Sequence, residues 1–387
     1  MSQPRSSRQA KVSLAIPYNS DHILKGKSMV RILVLCGGGE PFYSSSQGFI
    51  AALRELKCDV WSAGRRYFDR CLTDVELPPR QHPEYYSYKE VLDQSPWIPD
   101  LAICFDPGGF FSGEKPKGLR SILISTDAHR CGAMLREVIK KGSYDLFVNM
   151  QPNYSHFFTD LVKVHTSIPA FDERRFSLDV HTEPVADISF CGQTGLALKE
   201  EHWNHPDGQD EVGRYISNLK DRLPPNHLKY EFNFLPSFDY SERGELLYRL
   251  SQDFDLRIYE PLWDERLQLA LQKGRVGIGC SILRDLSLRS YEVGASGRPL
   301  VTDDVRVELH APTTSICAYP LATYLYWSQS YKPFYDNFSL TCGDVRGKVE
   351  MALSYNSQKS ATFYRERNFA NHSWKSRAQE ILRTMKI

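Results

Sequence analysis

Short apolar runs alternate with segments of helical spacing along most of this chain. In the first half, the apolar runs predict strands at Val30–Cys36, Asp59–Trp61, Leu101–Phe105, Ser121–Ser125 and Asp145–Met150. After the first run, an amphipathic helix is predicted by the spacing of Phe49, Ile50, Leu53 and Leu56. Strands that alternate with helices usually pair in parallel, so this half predicts a parallel sheet with helices on both faces.

The same alternation returns after residues 177–186, which are predicted to form a linker. Further strands are predicted at Asp187–Cys191, Lys229–Phe234, Asp255–Tyr259, Val276–Cys280, Leu300–Thr302 and Ile316–Tyr319. Helices are predicted at Val212–Leu219, Glu245–Gln252, Asp264–Gln272, Leu286–Ser296, Val345–Leu353, Thr362–Ala370 and Trp374–Met385. Because 387 residues exceed one comfortable core, the pattern predicts an α/β protein with two Rossmann-like domains.

The composition is that of a soluble globular protein, with 41% hydrophobic and 25% charged residues. The net charge of +1 provides no overall field for binding nucleic acid or a membrane. The 9 cysteines are scattered without a C-x-x-C pair, which is typical of a reducing cytosol. No apolar stretch reaches the roughly 18 residues of a membrane span. We therefore expect a cytoplasmic protein, with the basic residues 1–28 as a mostly disordered tail or an upstream start.

The predicted helix at Leu286–Ser296 has an apolar face and a polar face. The apolar face, which is expected to pack on a sheet, consists of Leu288, Tyr291 and Ala295. Gly297 supplies a residue that commonly ends a helix, and Pro299 prevents its continuation. With the strands on either side, this helix completes a βαβ unit.

The polar face of this helix carries Asp285, Arg289, Glu292 and Ser296. Near the start of a helix, the guanidinium of Arg289 suits a phosphate, because free backbone N–H groups and the helix dipole also favour an anion there. The carboxylate of Glu292 suits a ribose diol, because it can accept from two neighbouring hydroxyls. The face therefore predicts a nucleoside diphosphate site, and the alternative is an exposed helix with an ordinary Arg–Glu pair.

Three strand exits carry residues that can contact a ligand. Gly38 and Gly39 follow the first strand, and the loop that begins at Asp106 and Gly108 continues into two phenylalanines that could stack on a sugar. In the second half, the backbone at Gly192 and Gln193 and the hydroxyl of Thr194 can cradle a phosphate. For the segments at Gly38–Gly39 and at Gly192, the alternative is a simple turn.

Asp127 and His129 are the candidates for a general base in the first half. They follow the strand Ser121–Ser125, and a carboxylate, or a histidine held by one, can take a proton near neutral pH. The alternative is that Asp127 caps a helix beginning near Ala128 and that His129 is a surface residue.

The block from Arg289 to Gly297, followed by Arg-Pro-Leu-Val, resembles the donor-binding signature of GT-B glycosyltransferases. With Tyr291 between Arg289 and Glu292, it is most similar to the CgeB-like (spore-maturation-type) branch. Many GT-B enzymes have a second Glu eight positions earlier, where this chain has Arg284. Residues 164–176 resemble the segment that closes the first GT-B domain, and the ending around His372 resembles the CgeB-like pattern.

The resemblance implies two domains that face each other across a cleft. Residues 29–176 would bind the acceptor, residues 187–355 would bind the nucleotide sugar, and helices in residues 356–387 would cross back to the first domain. Donor contacts are expected from Gly192, Gln193, Thr194, Arg284, Arg289, Glu292, Ser296 and Gly297. Cleft contacts are expected from Gly38, Gly39, Asp106 and Gly108.

The predicted activity is transfer of a sugar from a nucleotide-diphosphate sugar, expected to be a UDP-sugar, to a hydroxyl of a glycan, protein or small molecule. A DNA base is a less favoured acceptor because the chain is nearly neutral. Neither a metal nor another cofactor is expected, since Arg284 and Arg289 would neutralise the departing diphosphate. The Asp253-Phe-Asp255 motif precedes a strand and is not expected to bind a metal. The alternatives are a nucleotide-sugar 2-epimerase and a non-catalytic nucleotide-sugar-binding protein.

Overall fold

The computed structural model describes residues 29–36, 45–65, 73–81, 83–106, 108–176, 181–192, 246–247, 250–259, 262, 266–279, 287–303, 324–327, 342–355 and 358–387. The elements predicted at Val212–Leu219, Lys229–Phe234 and Ile316–Tyr319 lie outside these residues. Every described helix is too short or too polar to cross a lipid bilayer.

The first half forms strands β1 (Arg31–Leu35), β2 (Asp59–Arg65), β3 (Val75–Leu77), β4 (Tyr85–Ser87), β5 (Leu101–Asp106), β6 (Phe110–Ser112), β7 (Arg120–Ser125), β8 (Leu146–Asn149) and β9 (Val164–Thr166). Its helices are α1 (Ser45–Glu55), α2 (Tyr88–Leu92) and α3 (Ala128–Gly142), with 3₁₀ helices at Pro152–Phe158 and Glu173–Arg175. Seven strands form a parallel sheet in the order β3-β2-β1-β5-β7-β8-β9. The direction of the strand order reverses at β1, which is the position where open α/β sheets bind ligands.

Apolar side chains cover both faces of this sheet, as its near-continuous apolar runs predict. Along β5, Leu101, Ile103 and Phe105 pack in the cluster that contains α1. Ala102 and Cys104 point to the other face and pack in the cluster that contains α3. The predicted arrangement of helices on both faces is therefore confirmed.

The two phenylalanines after the Asp106 loop are core residues, so the expectation that they stack on a sugar is wrong. Phe110 and Phe111 are fully buried in β6, which pairs with β4. The ring of Phe111 stacks on the ring of Tyr88 at a centroid distance of 4.4 Å. Pairing with β4 buries these rings, and that pairing is a tertiary contact that the glycine-rich local sequence does not predict.

The second half forms strands β10 (Ala186–Cys191), β11 (Leu256–Tyr259), β12 (Gly274–Gly279), β13 (Leu300–Asp303) and β14 (Tyr324–Trp327). Its helices are α4 (Arg266–Gln272), α5 (Leu288–Ala295) and α6 (Cys342–Tyr355). The five strands form a parallel sheet in the order β11-β10-β12-β13-β14. The order reverses at β10, so the crevice beyond the ends of β10 and β12 is the expected ligand position.

Helix α5 packs on its sheet through a residue that the helical pattern did not single out. The side chain of Val293 covers Gly277 of β12, where an added Cβ would lie 2.4 Å from Val293 Cγ1. Tyr291, which was expected to face the sheet, instead has its ring 4.7 Å from the ring of His372. That expectation is wrong because this side of α5 is covered by the C-terminal part of the chain.

Two C-terminal helices, α7 (Gln358–His372) and α8 (Trp374–Thr384), connect the halves. Helix α7 packs against α5, and α8 packs against α1. Between them the backbone of Phe171 donates to the carbonyl of His372 at 3.0 Å and accepts from the N–H of Trp374 at 3.2 Å. The chain thus crosses back to the first sheet, as predicted for residues 356–387.

Candidate functional site

A buried ion cluster occupies the face of α5 that was predicted to bind a nucleotide. The carboxylate of Glu292 lies between two guanidiniums, with Oε1 2.9 Å from Nη1 of Arg175 and Oε2 2.7 Å from Nη1 of Arg289. The side chains of Glu292 and Arg175 are 2% and 3% exposed, and Arg289 is 17% exposed. The predicted Arg–Glu pair therefore forms, but in a buried cluster that carries a formal charge of +1.

The contact between Arg289 and Glu292 leaves two polar atoms poorly satisfied. Although 2.7 Å is close enough for an ion pair, neither Arg289 Nη1 nor Glu292 Oε2 has a hydrogen-bond partner of good geometry among the described residues. Buried polar groups nearly always have such partners, so each exception calls for an explanation such as a catalytic role or a bound water or ion. A donor and an acceptor are thus available for a ligand at this point.

The cluster lies at the exit of β10, beside the point where the strand order reverses. A Cβ added to Gly192 would lie 3.9 Å from Nη2 of Arg289. Burial raises the pKa of the Cys191 thiol. The charge of Arg289 acts to lower this pKa, and the charge of Glu292 acts to raise it, so both charged groups lie near the thiol. The structure therefore brings together Gly192, Arg289 and Glu292, which the sequence had assigned to the donor site separately.

The start of α5 is fixed by its own cap. The hydroxyl of Ser287 accepts a hydrogen bond of 3.3 Å from the N–H of Arg289. This cap places Arg289 in the first turn, where the positive end of the helix dipole favours an anion.

The other predicted donor residues have different positions. The hydroxyl of Ser296 donates to the carbonyl of Val293 at 2.6 Å, at the opposite end of α5. Gly297 ends the helix with a φ of +82°, and an added Cβ would lie 3.1 Å from the carbonyl oxygen of Ala361 in α7. Gln193, Thr194 and Arg284 lie outside the described residues.

In the first half, hydrogen bonds through Ser125 connect Asp106, a predicted cleft residue, with Asp127, the predicted base. Ser125 Oγ donates to the buried carboxylate of Asp106 at 2.8 Å and accepts from the N–H of Asp127 at 3.2 Å. Asp106 and Ser125 are register partners at the ends of β5 and β7. The exits of these strands are therefore joined, and the backbone of Asp127 is anchored beside Asp106.

A second bond holds the segment between β7 and α3. Nε2 of Gln151 donates to the carbonyl of Thr126 at 2.8 Å, next to Asp127. Asp127 occupies the N-cap position of α3, but its side chain accepts no capping hydrogen bond from the described part of the helix. His129 lies in the first turn of α3, and Gly108 lies between β5 and β6. Gly38 and Gly39 fall outside the described residues.

Arg175 and Ser125 were not identified from the sequence. Arg175 lies within the segment 164–176 that resembles the end of a GT-B first domain, and this position is the only signal that could have indicated it. Ser125 was noted only as a strand end. Its hydroxyl becomes significant once Asp106 is its neighbour on the adjacent strand.

Comparison with solved structures shows which architecture the two sheets form. An alpha-glucosyltransferase in complex with UDP and a 13-mer DNA containing a HMU base matches with a TM-score of 0.55 and 11% identity, over 93% of this chain and 99% of that chain. A complex of alpha-glucosyltransferase with UDP-glucose and DNA containing an abasic site matches with a TM-score of 0.54 and 10% identity, over 93% and 99%. No family model matches the sequence, and no curated protein matches it significantly.

The chain has the GT-B fold. Two Rossmann-like units and the returning C-terminal helices thus form the predicted architecture. Since 10–11% identity relates only the folds, the resemblance to the CgeB-like branch and the roles of individual residues stay predictions. Arg289 and Glu292 of the ion cluster lie in the second unit, and Arg175 reaches them from the end of the first.

Proposed function

We propose that this GT-B protein is a glycosyltransferase that moves a sugar from a nucleotide-diphosphate sugar to a hydroxyl acceptor without a metal. The observation that carries the proposal is the buried Arg175–Glu292–Arg289 cluster at the reversal of strand order. It combines a net positive charge for a diphosphate with a carboxylate for a diol. The fold supports the same activity, because the structural neighbours described above are alpha-glucosyltransferases.

Donor binding is proposed to proceed by an exchange of partners. The phosphates draw the guanidinium of Arg289 away from Glu292, because a doubly charged diphosphate is the stronger partner and accepts a bidentate fork. Oε2 of Glu292, which lacks a well-aligned partner among the described residues, then accepts hydrogen bonds from the ribose hydroxyls. Arg284 and the loop from Gly192 through Gln193 and Thr194 are proposed to complete the phosphate contacts.

Sugar transfer then requires a nucleophile and a leaving group. The acceptor oxygen bonds to the anomeric carbon as the bond from that carbon to the diphosphate oxygen breaks. If the configuration inverts, the proton of the acceptor hydroxyl passes to Asp127, or to His129 supported by it. The diphosphate leaves with the bonding electron pair, and the cationic side chains stabilise its charge in place of a metal ion.

A UDP-sugar is the proposed donor, since UDP and UDP-glucose are bound in the neighbouring alpha-glucosyltransferase structures. Those structures also contain DNA, so the acceptor panel should include an oligonucleotide with a HMU base alongside glycans and small hydroxyl compounds. The near-neutral charge of this chain favours the latter two.

Thermal unfolding with nucleotides tests the donor site. Wild-type protein, Glu292→Ala and Arg289→Met are melted with UDP, GDP, ADP, CMP and the corresponding sugar conjugates, with and without EDTA. A ligand that binds only the folded state adds about 2.7 kcal/mol of stability at a hundredfold excess over its Kd. We expect one nucleotide to raise the Tm of wild type regardless of EDTA, and to have little effect on either variant. If no nucleotide raises the Tm of wild type, the proposed function is wrong.

Measurement of the reaction products distinguishes a glycosyltransferase from a 2-epimerase and from a non-catalytic binding protein. The nucleotide that binds is supplied as its sugar conjugate, and released nucleoside diphosphate is measured with and without acceptors. Release that depends on an acceptor and yields a glycosylated product supports transfer. Release of a free sugar without acceptor indicates the 2-epimerase, and tight binding without turnover indicates a binding protein.

A further inference from the structure

Arg175 and Arg289 hold the same carboxylate in different ways. Arg175 donates from Nη1 to Glu292 Oε1 at 2.9 Å and from Nη2 to the backbone carbonyl of Leu262 at 2.6 Å. Its side chain is 3% exposed, whereas that of Arg289 is 17% exposed. Arg175 is therefore fixed by two hydrogen bonds, and Arg289 is the guanidinium that can turn to a ligand.

When Arg289 moves from Glu292 to a diphosphate, as proposed, Glu292 needs another cation nearby to stay ionised. A buried carboxylate that loses its only cation is strongly destabilised in its ionised form and tends to take up a proton. A protonated Glu292 would retain one acceptor oxygen and gain a donor, so it would accept less well from two hydroxyls. A second cation that stays in place keeps the carboxylate ionised throughout the exchange.

We propose that Arg175 is this second cation and that it determines the preference of the donor site for ribose over 2′-deoxyribose. The inference rests on the proposed function, because it assigns Glu292 to the ribose. Arg175 is a positioning residue: it binds Oε1, orients the carboxylate plane and directs Oε2 to the diol. The last turn of the first domain thereby controls what the second domain recognises.

If Arg175 orients Glu292 toward the ribose, its removal should change the relative affinity for ribo and 2′-deoxy nucleotides. A residue that only stabilises the fold would not affect this ratio. A carboxylate that accepts from both ribose hydroxyls loses one bond when the 2′ hydroxyl is missing, so a ribonucleotide should bind about tenfold more tightly than its 2′-deoxy form. Removing Arg175 should abolish this difference. Binding of inorganic pyrophosphate, which relies on Arg289 rather than Glu292, should change much less.

The test uses titration calorimetry on the full chain with matched ligand pairs. UDP and 2′-deoxy-UDP, ADP and 2′-deoxy-ADP, GDP and 2′-deoxy-GDP, and pyrophosphate are titrated into wild type, Arg175→Met and Arg174→Met. Arg174 is the matched control, because it lies in the same 3₁₀ helix and its Nε donates to Asp172 Oδ1 at 2.8 Å instead of contacting Glu292. Arg175→Lys is measured in parallel, so that a charged variant is available if the methionine variant does not fold.

We expect wild type and Arg174→Met to share the ribonucleotide preference, and Arg175→Met to bind the ribo and deoxy forms within about twofold of each other. Arg175→Lys keeps the positive charge but cannot hold both Glu292 and the carbonyl of Leu262, so its preference should be smaller than that of wild type. The inference is overturned if the Arg175 variants keep the wild-type ratio, or if wild type itself shows no preference for ribose. If wild type binds none of these nucleotides, the proposed function fails as well. Nucleotide binding with a ratio insensitive to Arg175 contradicts the inference alone.

Discussion

Arg175 and Glu292 are separated by 117 positions in the sequence, and their side chains meet in a buried ion pair of 2.9 Å. Arg175 ends the 3₁₀ helix that follows the first sheet, and Glu292 lies in α5 on the second. The pair therefore joins the two halves of the GT-B fold at the proposed donor site. A change in the relative position of the halves would alter the contact between Arg175 and the Glu292 carboxylate, which is proposed to bind ribose.

Replacing Glu292 should reduce stability as well as donor affinity. Glu292→Gln leaves two guanidiniums without their shared counter-ion, and breaking a buried pair typically costs about 3–5 kcal/mol. Urea unfolding in the absence of ligand measures this cost. The matched control is Glu350→Gln, because Glu350 forms an exposed pair with Arg346 on α6 and its loss should leave the unfolding midpoint unchanged. Equal stabilities of the two variants would contradict the buried cluster.

Replacing Asp127 should separate catalysis from binding. Asp127→Asn preserves the backbone N–H that donates to Ser125, but it removes the proposed base. For an inverting reaction we expect kcat to fall by about 10²- to 10⁴-fold with donor affinity unchanged. Asp160→Asn is the control, because Asp160 pairs with Arg136 on the exposed side of α3. Wild-type turnover by Asp127→Asn would exclude Asp127 as the base.

A methyl group at Gly277 should displace helix α5, which carries the proposed donor-binding residues Arg289 and Glu292. The Cβ of Gly277→Ala would lie 2.4 Å from Cγ1 and 2.7 Å from Cγ2 of Val293, so α5 must move away from β12. Overpacking of this kind costs about 1–3 kcal/mol, and we expect weaker UDP binding together with a lower Tm. Gly347→Ala is the opposite control, since its added Cβ would have no described atom within 4 Å apart from its chain neighbours and the backbone of its own helix. In the helix α6 it should stabilise by about 0.5–1 kcal/mol.

Glu380 should make the attachment of α8 sensitive to acid. Its Oε1 contacts His165 at 2.8 Å and accepts from Ser167 at 3.0 Å, and its Oε2 pairs with Arg377. Burial raises the pKa of Glu380, but the bond with His165 and the charge of Arg377 outweigh burial and lower the pKa from 4.5 to about 2. The folded state thus favours the ionised form. The stabilisation is complete above pH 4.5 and is lost as the pH falls toward 2.

Glu380→Gln should therefore destabilise the protein at neutral pH by on the order of 3 kcal/mol, since each pKa unit corresponds to about 1.36 kcal/mol. Urea unfolding at pH 7 and at pH 3 measures the difference from wild type, which should be smaller at pH 3. Glu183→Gln is the matched control, because Glu183 forms an exposed pair with His181. A difference that does not change with pH would show that the Glu380 carboxylate is not held ionised by its neighbours.

The architecture followed largely from local hydrophobic spacing. Parallel strands that are buried on both faces require apolar runs, and these runs located β1, β5, β7, β8 and β10 within one or two residues. The three-residue strands β3, β4, β6 and β9 were missed, since so short a segment has no distinctive period. Phe110 and Phe111 were misassigned for the same reason.

Helix α5 shows which properties of a site cannot be predicted from local spacing. Helical periodicity placed Arg289 and Glu292 on one face, because the residues i and i+3 of a helix are neighbours whatever surrounds them. Whether that face is exposed or buried depends on what packs against it. Arg175 supplies the second cation from a distant segment, and only the crossing of the chain between the two sheets brings it there.

In the same way, Asp106 and Asp127 were each recognised from their own strand exit, and the hydroxyl of Ser125 connects them only after β5 and β7 pair in register. Residue type and spacing are local properties of a chain. The charge balance and the hydrogen bonds of a site arise from side chains that are far apart in sequence, and folding alone brings those side chains into contact.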